Sequence, residues 1–421
     1  MDLTRAAAEA LDAADPLADF RGRITGTDDD GPDRLIYLDG NSLGRLPRET
    51  PAALAGVVER QWGEGLVGSW ENWIGEAARL GDALAAGVLG AAPGEVLVSD
   101  STSVNLYKLL SAAAQARPGR DVLVCTADDF PTDRYIVAGV AEARGMTVRE
   151  LPADVDQGLD PATLAGALDD RVAVVVLSHV AYRSGALADL TAITRQVHEA
   201  GALVLWDLSH AVGAVPVELS AAGADLAVGC TYKYLNGGPG APAFLYVRRD
   251  LQEQLRSPIQ GWFGQRDQFA MGPAYEPAAG IERFGVGTPP VIAMAAVEVG
   301  VRLIAEAGVA RLAAKGRALT ELTVALGDDW LTPHGVSLAS PRDPALRGSH
   351  ITYAHPQAWQ VTQALVDRGV VPDFRTPDRV RLGPAPIYTR FVDVWDGMSR
   401  FRVVLADGAQ ENYSAERARV T

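Results

Sequence analysis

Apolar positions recur along the chain at two periods, one helical and one strand-like. Leu3, Ala7, Leu11 and Leu17 fall at helical spacing with acidic residues between them, which predicts an amphipathic helix over 2–20. A polar loop over 28–33 follows. Leu35-Ile36-Tyr37-Leu38 reads as a short strand, stopped by the turn formers Asp39-Gly40-Asn41-Ser42-Leu43-Gly44. Helices are expected from Arg48 and across 70–89. Beyond them, apolar runs of strand length occur at 96–98, 121–125, 172–177, 203–206, 226–230 and 243–247. Helical stretches at 101–116 and 190–200 lie between them, the second ended by Gly201. Strands alternating with helices predict an α/β domain with a mainly parallel sheet. In such sheets, functional side chains sit just past the C-terminal ends of strands. Further on, the pattern predicts a long helix over 291–305, a break at Gly308, helices over 309–326 and 357–368, and strands over 349–353 and 380–382. There is no internal repeat and no low-complexity segment.

A length of 421 residues suits a large domain joined to a smaller one. The net charge of -15 argues against nucleic acid as a partner, because a phosphate backbone asks for a basic footprint. The longest apolar runs are far too short to span a membrane. The two cysteines, Cys125 and Cys230, stand alone in apolar, strand-like runs, with no disulfide framework, which suits a reducing compartment. The N-terminus has neither a basic region nor an apolar core of the signal-peptide kind, so a cytoplasmic location is expected.

The chemistry concentrates in a few places. Lys233 sits between Tyr232 and Tyr234, with Gly237-Gly238 close behind. A lysine taken out of water gives up its proton readily, and the neutral amine can attack an aldehyde. A solvated turn lysine is the plainer alternative. The run 203–206 delivers Asp207 at its end, with His210 three residues on; the carboxylate is either a helix cap or a partner for a cation. Ser101-Thr102-Ser103 opens a helix after a strand, as a phosphate cup or as ordinary capping. Phe130, in Phe130-Pro131-Thr132-Asp133, follows the run 121–125 and offers either a ring face or core packing; Asp133 either bonds a ligand or shapes the turn. An imine-forming amine, a carboxylate for a pyridine nitrogen and a phosphate cup are the parts of a pyridoxal phosphate site. The six histidines show no paired-ligand spacing, so no metal is expected. Neither a nucleophile elbow nor a nucleotide-binding loop occurs.

Several stretches, in order over nearly the whole chain, then resemble one family. They are Tyr37–Gly44, Thr102-Ser103-Val104-Asn105-Leu106, Phe130–Asp133, Trp206-Asp207-Leu208-Ser209-His210-Ala211-Val212-Gly213 and Cys230–Gly238. Gly261-Trp262-Phe263-Gly264, Gly287-Thr288-Pro289-Pro290 and Val380-Arg381-Leu382-Gly383-Pro384-Ala385-Pro386 complete the set. The chain resembles the kynureninases, of the fold-type-I pyridoxal phosphate enzymes. The resemblance implies a large domain with a mainly parallel seven-stranded sheet and a smaller α+β C-terminal domain. Its expected boundaries are 1–60 for an N-terminal arm and segment packing with the small domain, 61–295 for the large domain and 296–421 for the small one.

The resemblance also implies roles. Lys233 would hold pyridoxal 5'-phosphate as a Schiff base and move protons. Asp207 would pair with the ring nitrogen, and Phe130 would stack on the ring. Thr102, Ser103 and Tyr232, with Trp262 and Thr288 of a neighbouring subunit, would surround the cofactor and its phosphate. Pro131, Thr132, Asp133, Ser178 and His210 match further cofactor-contact positions. Arg381 matches the grip on the substrate α-carboxylate, which a planar fork suits. Trp70, Gly287 and Thr288 fall near the aryl end, and Asn41 near the substrate. The activity implied is hydrolysis of L-kynurenine, with 3-hydroxy-L-kynurenine as an alternative, to anthranilate and L-alanine in a homodimer with shared sites. Tyr232 is the expected acid for the last protonation. A cysteine-desulfurase-like lyase would need a cysteine on a mobile loop, and neither cysteine is in an evident one. A catalytically silent cofactor-binding protein would lack the lysine or the aspartate, and both are present.

Overall fold

The computed structural model describes residues 2–31 and 33–417. Pro32, in the polar loop expected over 28–33, lies outside the described residues, as do residues 1 and 418–421. In chain order the strands are β1 Ile36–Tyr37, β2 Val96–Val98, β3 Val122–Thr126, β4 Thr147–Leu151, β5 Val172–Ser178, β6 Leu203–Asp207, β7 Leu226–Gly229 and β8 Phe244–Val247. They continue with β9 Ser337–Leu338, β10 Ile351–Ala354, β11 Val370–Val371, β12 Asp373–Arg375 and β13 Arg379–Leu382.

Seven strands form the main sheet in the order β2-β8-β7-β6-β5-β3-β4. Strands β7, β6, β5, β3 and β4 are parallel neighbours, while β8 runs antiparallel to both β2 and β7. Both faces are covered, so the central strands read as continuous apolar runs. Alternate residues go to opposite faces. Val122, Val124, Val175, Val204 and Trp206 enter one core, and Leu123, Cys125, Val174, Leu203 and Leu205 enter the other. A third core joins Ile351, Val380, Leu382, Trp359 and Phe401 to Ala8, Ile36 and Leu38 from the N-terminal segment. There β1 pairs parallel with β11, and β12-β13-β10-β9 form a four-stranded sheet.

Several expectations need correction. The N-terminal helix breaks into Arg5–Ala13 and Ala18–Arg21, with Pro16 in the gap, where its missing N–H cannot continue the hydrogen-bond ladder. The single helix over 70–89 is interrupted at Gly75. Strand β4 and the helix Pro131–Arg144 are not among the expected elements. β4 is an edge strand whose sequence, Thr147-Val148-Arg149-Glu150-Leu151, carries too little apolar weight to announce itself. Cys230 lies one residue past the end of β7, outside the strand in which the run 226–230 places it. The helix Val291–Ala307 does stop at Gly308, whose φ of 82° carries the chain into the next helix, Val309–Trp330.

Candidate active site

The parallel strands bring their C-terminal ends to one edge. β3 delivers the loop to Asp129, Phe130 and Asp133. β5 delivers Ser178, β6 Asp207 and His210, and β7 the turn to Lys233. β2 joins them there, because Val98 and Gly229 both pair with Phe244 across β8. A cavity of about 650 Å³ at this edge is lined by Thr102, Ser103, Phe130, Thr132, Asp133, Asp207, His210, Tyr232, Lys233 and Thr288, among others.

Lys233 is half-buried at the cavity wall, with its Nζ 3.1 Å from Nε2 of His210. Protein packed around the amine lowers its proton affinity, since desolvation penalises the ammonium. His210 is held well below the ordinary histidine range by burial first and by the Lys233 charge second. Gly44 braces this loop: its N–H donates to the Tyr232 carbonyl at 2.8 Å, and a side chain on it would collide with the Lys233 carbonyl. The phenol of Tyr232 is pushed up by burial and stays protonated.

The Asp207 carboxylate is buried and fixed. Its Oδ1 accepts from the Ser209 N–H at 2.9 Å and from the Ser209 hydroxyl at 2.6 Å. Two further carboxyl groups are close. Asp129 accepts from the N–H groups of Thr126 (2.7 Å) and Ser178 (3.1 Å), tying the ends of β3 and β5 together. Burial still pushes its carboxyl up to about 6. Asp133 is raised by burial, then by Asp207 and Asp129. Thr102 and Ser103 begin the helix Thr102–Gln115 behind the N-cap Ser101, whose Oγ accepts from the Val104 N–H at 3.4 Å. Phe130 precedes Pro131, the first residue of its helix, and meets Tyr182 edge-on at 5.3 Å.

Other expected residues stand outside this cavity. Gly287 lines a second cavity of about 670 Å³, which shares Asp100, Thr288 and Pro290 with the first. Trp262 is exposed and packs edge-on against Trp70, with ring centroids 6.0 Å apart. Arg381 is fully buried and already bonded. Its Nη1 donates to the Tyr182 carbonyl, and its Nη2 donates to Ser42 Oγ at 2.8 Å and to Asp373. In the amide orientation that satisfies both neighbours, Asn41 accepts from Arg381 Nε at 2.9 Å and donates to Asp39 at 3.2 Å. Arg375 shares Asp373 with it at 2.7 Å. Burial and the Asp373 charge push the Asp39 carboxyl up to about 6.

Sequence reasoning missed Ser209, Asp129, Asp373 and Ser42 as partners. Ser209 was findable from its spacing, two residues past an aspartate at a strand end, where Asx turns form. Asp373 was not, because it meets Arg381 only across the β12–β13 register.

The residues fit pyridoxal phosphate. Asp133 Oδ2 is buried without a hydrogen-bond partner in the cavity that also holds Asp207, where a protonated ring nitrogen would supply a donor. The hydroxyl-lined helix start suits a phosphate, and the amine suits an aldehyde. Among the described residues, no group of His, Cys, Asp or Glu is placed to hold a metal ion.

Residues 312–401 match the family model of the kynureninase C-terminal domain, and residues 69–329 match that of class-V aminotransferases. Kynureninase from Burkholderia pseudomallei (strain 1106a) is 46% identical over 410 residues, covering 96% of this chain and 95% of that protein. Kynureninase from Pseudomonas fluorescens is 45% identical over 397 residues, covering 92% of each. A cysteine desulfurase from Thermococcus onnurineus NA1 superposes with a TM-score of 0.80 at 18% identity, over 92% of this chain and 98% of that one; the likeness is one of fold. The chain therefore belongs to the kynureninase family, built on the class-V aminotransferase fold.

Proposed function

We propose that this chain catalyses the reaction for which its family is named: hydrolysis of L-kynurenine at the Cβ–Cγ bond, with water, to anthranilate and L-alanine. The observation that carries this reading at the level of residues is the Lys233 amine at the strand edge, depressed in proton affinity and facing His210, in one cavity with Asp207. The cofactor is pyridoxal 5'-phosphate, which when bound supplies a carbonyl for the substrate amine and a ring that draws electrons from the bonds around Cα.

The protein's own groups do the rest. Ser209 fixes the Asp207 carboxylate, which would hold a proton on the ring nitrogen. Thr102 and Ser103 would hold the phosphate at the helix start, and Phe130 would cover one face of the ring. Pro131, Thr132, Asp133 and Ser178 would complete the contacts around it. Lys233 Nζ, its proton affinity lowered first by desolvation, removes the proton at the substrate Cα and returns it. His210 stays neutral beside it and can share that proton. Tyr232 keeps its phenolic proton and gives it to the carbon that becomes the alanine methyl. Arg381 grips the α-carboxylate, exchanging bonds with Ser42 and Asp373 as it does so, and Asn41 steadies its Nε.

The working unit is a homodimer with shared sites. Support comes from Trp262, Phe269, Met271 and Val67, large apolar side chains left exposed near the second cavity or on the neighbouring helical segment. Surfaces of this kind mark contact sites. Trp262 of one subunit then completes the site of the other, with Trp70 and Gly287 at the aryl end; Thr288, expected from the neighbouring subunit, lines the cavity of its own chain. The chain divides into an arm over 1–60, a large domain over 61–295 and a small domain over 296–421. A cytoplasmic location fits two buried free cysteines, and no helix among the described residues is long and apolar enough to cross a membrane. The test is to mix the purified protein and cofactor with L-kynurenine, following anthranilate fluorescence and assaying alanine. Equimolar products are expected; consumption of kynurenine without alanine would overturn the reading.

A further inference from the structure

We propose that Lys108 is a positioning residue for the phosphate end of the cofactor, acting through Asp100, and that it also ties the phosphate cup to the strip that carries Gly287 and Thr288. This rests on the reading of Thr102 and Ser103 as that cup. Lys108 lies inside the helix Thr102–Gln115 and is fully buried. Side chains on a helix lean toward its N-terminus, so the lysine reaches back to the turn that opens its own helix. Its three ammonium hydrogens meet three acceptors: Asp100 Oδ2 at 2.6 Å, Ser99 Oγ at 3.2 Å and the Phe284 carbonyl at 2.8 Å.

Asp100 is the unusual member of that set. It adopts φ of 51°, the left-handed region that most side chains avoid, immediately before Ser101 and the two cup residues. It lines both cavities. Its carbonyl is held by the Ala243 N–H at 2.8 Å, and its carboxylate by Lys108. Without the lysine, the turn loses its clamp, and a bare carboxylate is left beside the place where a phosphate dianion binds. The third bond reaches Phe284, two residues before Val286 and the Gly287–Thr288 strip. A lysine is needed there for its charge as well as its length, because only a cation both neutralises Asp100 and donates to all three acceptors.

The experiment compares the affinities of the apoprotein for pyridoxal 5'-phosphate and for pyridoxal, which lacks the phosphate. Lys108→Met should weaken the phosphate ester by about tenfold or more, as expected for loss of a buried charge-assisted bond, and leave pyridoxal little changed. Adding Asp100→Gly, which accepts the left-handed turn and removes the stranded charge, should restore most of the loss. Equal losses for the two ligands, or none, would overturn the proposal. If Lys108→Met does not fold, Asp100→Asn carries the test. It keeps both the turn and a bond to Lys108, so a change confined to the phosphate ester is expected, and equal changes for both ligands would overturn the coupling. A wild-type protein that binds the two ligands equally would instead overturn the cup assignment itself.

Discussion

Nζ of Lys233 and Nε2 of His210 face each other across 3.1 Å at the edge of the main sheet, two bases with one proton between them. Each is held below its ordinary proton affinity by the protein packed around it. Desolvation is the first cause of the lowering at Lys233, and the Arg381 and Arg375 charges add to it. Lys233→Ala should therefore abolish the visible absorption of the covalently held cofactor and lower turnover by about a thousandfold or more, together. Normal turnover in that variant, measured by anthranilate fluorescence, would sink the assignment.

Asp207 and Ser209 give a graded pair of variants. Asp207→Asn keeps the shape and removes the charge, so turnover should fall by at least ~100-fold while kynurenine still binds. Ser209→Ala removes one bond of 2.6 Å to Oδ1 and leaves the backbone N–H in place, so a loss of about tenfold is expected. Steady-state kinetics on the cofactor-saturated proteins separates the two. An order of losses opposite to this one would contradict the role of Asp207.

Arg381 should discriminate by carboxylate. Arg381→Lys loses the planar fork, and its kcat/KM for L-kynurenine should fall by about 100-fold, mostly through KM. The decarboxylated amine analogue has nothing for the fork to hold, so its binding to wild type and variant should differ little. Competition between the two ligands in both proteins measures this. Equal weakening of both would mean that Arg381 serves only the internal network with Ser42 and Asp373.

His179 predicts an acid limit on stability. Burial pushes its imidazole down to about 4 from an ordinary 6.5, with its ring edge-on to Trp206 at 5.9 Å. The folded state then binds fewer protons than the unfolded chain between those two values, so stability is full above about pH 6.5 and falls as the pH drops toward 4. Against His179→Phe, which cannot titrate, the wild type should lose about 3 kcal/mol more between pH 7 and pH 4. Asp129 and Asp39, both raised to about 6, act in the opposite direction but equally in both proteins. Denaturant unfolding of the two proteins across that range tests it; parallel curves would refute it.

Some of this was legible from local pattern alone. Runs such as 172–177 and 203–206 are strands because a sheet covered on both faces demands apolar residues at every position. The placement of Asp207 and Lys233 past strand ends follows from the same rule, and their chemistry from residue type. The edge strand β4 and the helix Pro131–Arg144 stayed hidden: one has a solvent face, and the other opens with a Phe-Pro-Thr-Asp string that reads as a turn.

What the chain alone determined, then, is the alternation of elements and the identity of the amine, the carboxylate and the hydroxyl-rich helix start. Tertiary structure decided which donors meet which acceptors. Arg381 is held by Ser42, Asn41, Tyr182 and Asp373, drawn from an N-terminal turn, the loop after β5 and the neighbouring strand of its own sheet. His210 faces Lys233 only because β6 and β7 are parallel neighbours. Lys108 meets the Phe284 carbonyl, far along the chain, only because the fold brings that segment over the start of its helix. Periodicity is a property of a dozen adjacent residues, whereas a hydrogen bond between distant segments depends on sheet order and register, which no local window contains.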